Sequence, residues 1–418
     1  MRHMGSIAVG RLLPMKPVLF VTGHAPAYRV GAFARLHERE NVEFALFGGR
    51  LAHGGGPTGL DLPFPHRLVG GYTPQRAHDG RGQPGGLEGR AQAAQRKQAS
   101  ELYALASSGR YRAVICSTGG RAAPLAAWAG ARRARVPLIL WASLWAHPRS
   151  AAHTLSYPVL LRLYRSADAL VTYGPHVSAY VRSHGGRRVH VAAQAVDNEF
   201  WNSAEVSLPN HPRWPTNIEV TFLFAGRPRR EKGLGVLVEA WSTSGLQAPT
   251  AALVLVGAGS TPPWVPAGGA VVGSASAAQA LDERGVLSLD PVPPRQLRNF
   301  YAAADVLVVP SIPTRTFREP WGLVVNEGMN RGLPVIASDA VGAAAGGLVQ
   351  AGRNGLVVPA GEPVALAAAL RELAGDPGLR ARMGKAARAD VSAYTYDAWA
   401  GGFSEALTEL GLSEGTVR

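Results

Sequence analysis

Short apolar runs closed by glycine or proline alternate with helix-patterned stretches, and the alternation occurs twice along the chain. Residues 17–22, Pro-Val-Leu-Phe-Val-Thr, read as a buried strand broken by Gly23-His24-Ala25-Pro26. A helix is predicted from near Gly31 through His37, then a second strand at Val42–Phe47. Residues 48–90 are rich in Gly and Pro and read as an irregular loop or hairpin, a length that in a compact domain is usually functional. Strands at Ala113–Ser117, Pro137–Trp141, Ala169–Thr172 and Val189–Ala192 follow, separated by helices at 91–107, 121–133, 156–166 and 176–184. Strand–helix–strand units of this kind have right-handed crossovers and build a doubly wound parallel sheet, with its ligand crevice at the carboxyl ends of the strands.

The second run begins after Asp197-Asn198-Glu199-Phe200-Trp201 and a Pro-rich linker at 208–215. Strands are predicted at Val220–Ala225, Ala252–Val256, Val286–Leu289, Asp305–Val309 and Val335–Ser338. Helices are predicted from Gly235 and at 295–303, 363–375, 377–390 and 395–411. The expected fold class is therefore α/β, with two Rossmann-like doubly wound domains facing a central cleft. Residues 1–14 are expected to be a tag or disordered lead, 15–200 the first domain, 201–392 the second, and 393–418 a helix crossing back to the first. A chain of 418 residues suffices for two cores.

The charge is uneven. Residues 1–200 hold 25 Lys and Arg against 10 Asp and Glu, so the net +14 of the chain belongs wholly to this half. Such a surface can attract an acidic substrate, nucleic acid or anionic lipid, or be merely an Arg-rich solvated face. The arginines are scattered over several predicted helices without an aromatic-rich strand or zinc-finger spacing, so nucleic acid is not expected as a partner. No apolar run approaches the roughly 20 residues of a membrane span. The lone Cys116 precludes an internal disulfide, and a cytoplasmic location is expected, with possible peripheral contact to an anionic membrane.

Two stretches carry chemistry. In Phe317–Ser338, Glu319 and Glu327 stand eight positions apart around Pro320-Trp321-Gly322, and a helix is expected to start between them, with Glu327 about two turns inside. The backbone N–H groups of Gly322, Leu323 and Val324 would then be unpaired and form an anion site. Either carboxylate could instead be solvated or favour the helix dipole, but Glu327 lies in an apolar run where a charge needs a partner. Upstream, Gly226 ends a strand and Arg227 and Lys232 follow in one loop, a fork and a point charge for a diphosphate or simply a basic turn. Combined with the second loop, they could hold a diphosphate without a metal, and no Asp-x-Asp pair is present to bind one.

The motif Glu319-Pro320-Trp321-Gly322-Leu323-Val324-Val325-Asn326-Glu327, with Arg227, Lys232 and Gly332–Ser338, resembles the retaining GT-B glycosyltransferases of family 4. Leu253–Gly259, Asp305–Ser311 and Asn354–Pro359 extend the resemblance over most of 197–390. It is weaker at Ala167–Val171 and Ala195–Phe200. The resemblance implies a metal-independent transfer of a sugar from a nucleoside diphosphate (UDP or GDP) to a small-molecule or lipid-linked acceptor, with no cofactor. It assigns Glu327 to the ribose, Glu319 to the donor sugar, and Arg227, Lys232, Gly322, Leu323 and Val324 to the diphosphate. Gly31 would admit the donor phosphate at the start of the first helix, His147 would stand beside the donor sugar, and Arg29 and His24 would face the acceptor. Trp321 in place of Phe and Asn330-Arg331 in place of a small pair depart from the pattern. Rival readings are a nucleotide-sugar epimerase or phosphorylase on the same scaffold, and a basic protein binding nucleic acid or membrane.

Overall fold

The computed structural model describes residues 15–48, 62–70, 87–120, 122–205, 207, 214, 217–259 and 285–413. Two parallel sheets organise them. The first orders its strands β3-β2-β1-β4-β5-β6-β7, from β1 (Val18–Thr22), β2 (Val42–Leu46), β3 (His66–Leu68), β4 (Ala113–Ser117), β5 (Leu138–Ala142), β6 (Ala169–Thr172) and β7 (Val189–Val191). The second is β10-β9-β8-β11-β12-β13, from β8 (Val220–Ala225), β9 (Ala251–Val256), β10 (Val286–Leu289), β11 (Val306–Val309), β12 (Val335–Ser338) and β13 (Gly355–Val358). Strands such as Leu138-Ile139-Leu140-Trp141-Ala142 are buried throughout, as parallel strands covered on both faces must be. The two-sheet Rossmann-like architecture is thus as expected.

One device recurs in both sheets. Asp168, just before β6, accepts the Leu138 amide through Oδ2 at 2.8 Å, and Asp305, just before β11, accepts the Thr221 amide at 2.7 Å. Each carboxylate satisfies an amide at the start of a neighbouring strand and fixes its register.

Helix boundaries differ from the expectation where capping decides them. The first helix, α1 (Ala27–Glu40), opens after Pro26 and not near Gly31, and ends at Asn41 in the left-handed conformation, whose amide bonds back to the His37 carbonyl. Within the stretch read as loop, β3 adds a parallel edge strand beside β2, and a helix already begins at Leu87. Residues 49–61 and 71–86, and most of the linker at 208–215, lie outside the described residues, as do 1–14. The helix expected at 156–166 is α4 (Ala151–Ser166), started five residues earlier by Ser150, whose hydroxyl accepts the His153 amide.

The last helix, α13 (Tyr396–Glu409), packs against α1, β6 and β7 of the first sheet. Its Trp399 and Phe403 enter an aromatic cluster with Phe20, Phe33 and Trp141, at centroid separations of 5.5 to 6.0 Å from those three rings. Trp399 is 2% exposed, so this contact ties the end of the chain to the first sheet.

Candidate functional site

Strand β8 ends at Ala225, and the loop that begins at Gly226 closes with a single 3-10 turn, Arg230–Lys232. Gly233 ends the turn with φ +70°, and a Cβ there would stand 1.9 Å from the Pro310 carbonyl oxygen. That close approach carries Lys232 to Glu319: Nζ lies 2.5 Å from Oε2, with the Glu319 side chain 9% and the Lys232 side chain 25% exposed. Arg227 stands exposed at the start of the same loop and makes no ion pair among the described residues. The loop therefore delivers its lysine to the acidic motif and leaves its first arginine free.

The helix between the two acids is α9 (Val324–Asn330), seven residues long, so Glu327 lies in its first turn, not two turns inside. A helix this short has little dipole; what distinguishes its start is hydrogen bonding. The Glu319 carbonyl accepts from the Gly342 amide and the Trp145 indole, the Trp321 carbonyl from the Ala343 amide, and the Pro320 carbonyl from His176 Nε2 at 3.1 Å. The carbonyls on that side are thus all engaged. The amides of Gly322, Leu323 and Val324 donate to nothing among the described residues. Gly322 turns the chain at φ +91° to present them.

Glu327 is half-buried, and its Oε2 accepts from the Tyr301 hydroxyl at 2.8 Å. Burial pushes its pKa up to about 7, with the Tyr301 bond acting the other way. The same contact and burial raise the Tyr301 phenol well above its ordinary value.

The two departures from the family pattern have structural reasons. The buried Trp321 indole needs an acceptor and finds Asn326 Oδ1 at 2.7 Å; Asn326 in turn donates to the Gln194 carbonyl. Asn330 donates to Asn198 Oδ1, and Arg331 to the carbonyls of Trp201 and Ser203. Asn330 and Arg331 thus hold the segment that joins the two sheets.

On the first-domain side, Arg29 donates to the Tyr173 hydroxyl at 2.8 Å and lies 4.5 Å from the Trp141 ring centroid, caged by Tyr28 and Tyr173. The Tyr28 and Tyr173 contacts hold its pKa up against burial, which is the largest influence and acts downward. Gly31, one turn into α1, faces the Tyr396 ring, 2.3 Å from where its Cβ would be; its missing side chain makes room for α13, and it does not open the helix. Partly buried His24 lies in the β1–α1 loop. The His147 ring packs tilted against Tyr157, with centroids 4.1 Å apart, and its Nε2 lies 3.1 Å from the His153 carbonyl. Burial lowers its pKa, which favours the neutral imidazole. Its ring lines a cavity with residues 313–318 and Pro320 of the second domain.

Sequence reasoning missed Trp145, His176, Tyr301 and Asn326. The first three lie in other segments of the chain and meet the motif only in space, and two of them bind backbone carbonyls, which carry no residue identity.

Residues 219–376 match the family described as glycosyl transferases group 1. A D-inositol 3-phosphate glycosyltransferase from Streptomyces avermitilis is 39% identical over 121 residues, 28% of this chain and 24% of that protein. One of the same description from Xylanimonas cellulosilytica is 34% identical over 245 residues, 56% of this chain and 54% of the relative. The chain spans about a quarter of the first curated relatives' length and about half of the Xylanimonas protein's. Among solved structures, Anabaena Alr3699/HepE in complex with UDP-glucose superimposes with a TM-score of 0.63 at 19% identity, covering 94% of this chain and all of that one. A glycosyltransferase from Rickettsia africae gives 0.66 at 14%, covering 96% of this chain and 100% of its own. The chain therefore has the two-domain GT-B fold, and residues 219–376, which include its second sheet, are similar to the glycosyl transferases group 1 family.

Proposed function

We propose that this protein is a metal-independent glycosyltransferase that moves a sugar from a UDP- or GDP-sugar to a small-molecule or lipid-linked acceptor with retention of configuration. The observation that carries the reading is the Lys232–Glu319 pair beside the three unpartnered amides of Gly322, Leu323 and Val324. A cation and a row of fixed N–H groups are what a leaving diphosphate needs, because they are already oriented when its charge grows. Arg227, exposed and unpaired, adds a second cation once a donor is bound.

Glu327, ionised, accepts from the ribose hydroxyls. Glu319 exchanges its Lys232 contact for the donor sugar's hydroxyls and orients the sugar without forming a covalent bond. The acceptor approaches on the face from which the phosphate departs. The departing phosphate oxygen takes the acceptor's proton while the new glycosidic bond forms. His147 lies on the first-domain side of this approach, and Arg29 marks the wall nearest the acceptor.

The base and sugar are tested together. A thermal-shift screen of UDP, GDP and ADP should single out one nucleotide, since a ligand that binds only the folded state stabilises it. With the matching nucleotide sugar and an acceptor extract, NMR should find the product's anomeric configuration equal to the donor's. Inversion, or product formed from donor alone, would overturn the reading, the latter in favour of an epimerase. Binding to vesicles or DNA that is indifferent to nucleotide sugar would favour a basic binding protein.

A further inference from the structure

Beside the donor residues lies a cavity of about 720 Å³ with no role so far. Its walls come from both domains: Leu144, Ala146–Arg149 and Tyr157 on one side, Pro313–Arg318 and Pro320 on the other. Two interdomain hydrogen bonds fix its width, Arg149 N to the Arg315 carbonyl at 2.5 Å and the Trp145 indole to the Glu319 carbonyl at 3.0 Å.

The charges on these walls are one-sided. Arg149, Arg315 and Arg318 line the cavity, and no Asp or Glu does. None of the three arginines makes an ion pair among the described residues. Arg149 and Arg315 are exposed at the mouth, whereas Arg318 lies deeper, its guanidinium 3.6 Å from the centroid of the Trp145 ring. Its Nε is buried without a partner. Asp339, the carboxylate whose field reaches Arg318, engages the Ala360 amide through Oδ1. Glu319 turns its carboxylate to Lys232 instead. A guanidinium held over an indole is restrained in position, and its planar fork of donors matches the oxygens of a phosphate. Tyr157 and Phe317 supply ring faces on the same walls.

We infer that this cavity receives an acceptor that carries a phosphate group, its oxygens held by Arg318 and Arg315 with Arg149 at the rim, and its carbon face against Tyr157 and Phe317. The inference deepens the proposed function and rests on it for the word acceptor; the anion site itself stands on the cavity. The phosphate can belong to a phosphorylated sugar or polyol or to a lipid headgroup, which share this chemistry.

The test uses the full chain and the Arg315→Gln/Arg318→Gln double variant. Calorimetry at pH 7 compares glucose 6-phosphate and glycerol 3-phosphate with glucose and glycerol. Flotation compares phosphatidylcholine vesicles with and without phosphatidylglycerol. The expected result is that a phosphorylated probe binds at least about tenfold tighter than its neutral counterpart and loses roughly 10- to 100-fold in the double variant, the range for removing charge-assisted hydrogen bonds. Arginine-dependent capture by the anionic vesicles alone would support the inference and place the phosphate on a lipid. Equal binding of charged and neutral probes, or phosphate binding that survives in the double variant, would overturn it. UDP-glucose and GDP-mannose binding is measured in parallel. Its retention in the variant shows an intact fold, and its absence from the wild type would count against the donor reading while the phosphate measurement still reports on the cavity.

Discussion

Replacing Glu327 with glutamine tests whether this carboxylate is the ribose ligand, because its displaced pKa gives it a pH signature. Burial raises it from 4.5 to about 7. Between those values the folded protein keeps a proton that the unfolded chain has lost, so stability is fully present below about pH 4.5 and falls as pH rises towards 7. At about 1.4 kcal/mol per pH unit, the loss amounts to about 3 kcal/mol as an upper bound, since the side chain retains some contact with water. Donor binding runs the opposite way. If only the ionised carboxylate accepts from the ribose, apparent affinity is halved at pH 7, where half the molecules are protonated. It falls about tenfold between pH 8 and pH 6, or about 1.4 kcal/mol.

The assay is calorimetry of an intact nucleotide sugar, whose diphosphate does not titrate in this range, at half-unit steps from pH 6 to 8. Wild-type affinity should rise with pH and release protons near pH 7; Glu327→Gln should bind weakly and without pH dependence. In parallel denaturation, Glu327→Gln should be more stable than wild type at pH 8 and comparable at pH 5. His147 and His176 are both lowered by burial, and any contribution from them persists in Glu327→Gln, so the difference between the two proteins isolates Glu327. Tyr301→Phe removes the bond that opposes the shift and should move the midpoint above 7. A flat wild-type affinity profile, or a glutamine variant with the same pH dependence, would refute the ribose assignment.

Three further outcomes are expected. Lys232→Ala strands the buried Glu319 carboxylate and should cost about 1–3 kcal/mol of stability and at least roughly 100-fold in kcat/KM; near-normal turnover would remove Lys232 from the diphosphate site. Gly233→Ala sets a side chain in left-handed backbone against the Pro310 carbonyl, so denaturant unfolding should show a loss of about 2–4 kcal/mol with weakened donor binding. Trp399→Ala empties the aromatic cluster under α13 and should lower stability by about 3–5 kcal/mol, with hydrogen exchange rising along Tyr396–Glu409; unchanged exchange there would mean that the helix docks by other contacts.

The strands could be read from sequence because a parallel strand buried on both faces must be apolar nearly throughout, and repeated runs of this kind separated by Gly and Pro leave few alternatives. Helix starts were less legible where Pro26 or Ser150 opened a helix before its apolar pattern became visible. The second-domain half of the candidate site was legible because Glu319, Gly322 and Glu327 are neighbours in sequence, and Lys232 needs only the turn at Gly233 to join them. Glu327's depth in the helix was not, because α9 stops at seven residues, ahead of the Gly332-Leu333-Pro334 turn.

The contacts between domains were hidden for a different reason, which bears on how the site works. Trp145 and His176 grip the carbonyls of Glu319 and Pro320, and a carbonyl looks the same in every residue. Since those carbonyls belong to the same turn whose amides stay free, the first domain orients the free-amide edge of the second by holding its opposite edge. Asn326, Asn330 and Arg331 fasten the other end of that turn and its helix to residues 194–203. The turn is therefore clamped at both ends by the surfaces that would have to shift in any domain movement. A change in domain angle would be felt first at Gly322, Leu323 and Val324, so donor affinity and domain closure should be coupled through these amides more directly than through Glu319 or Glu327.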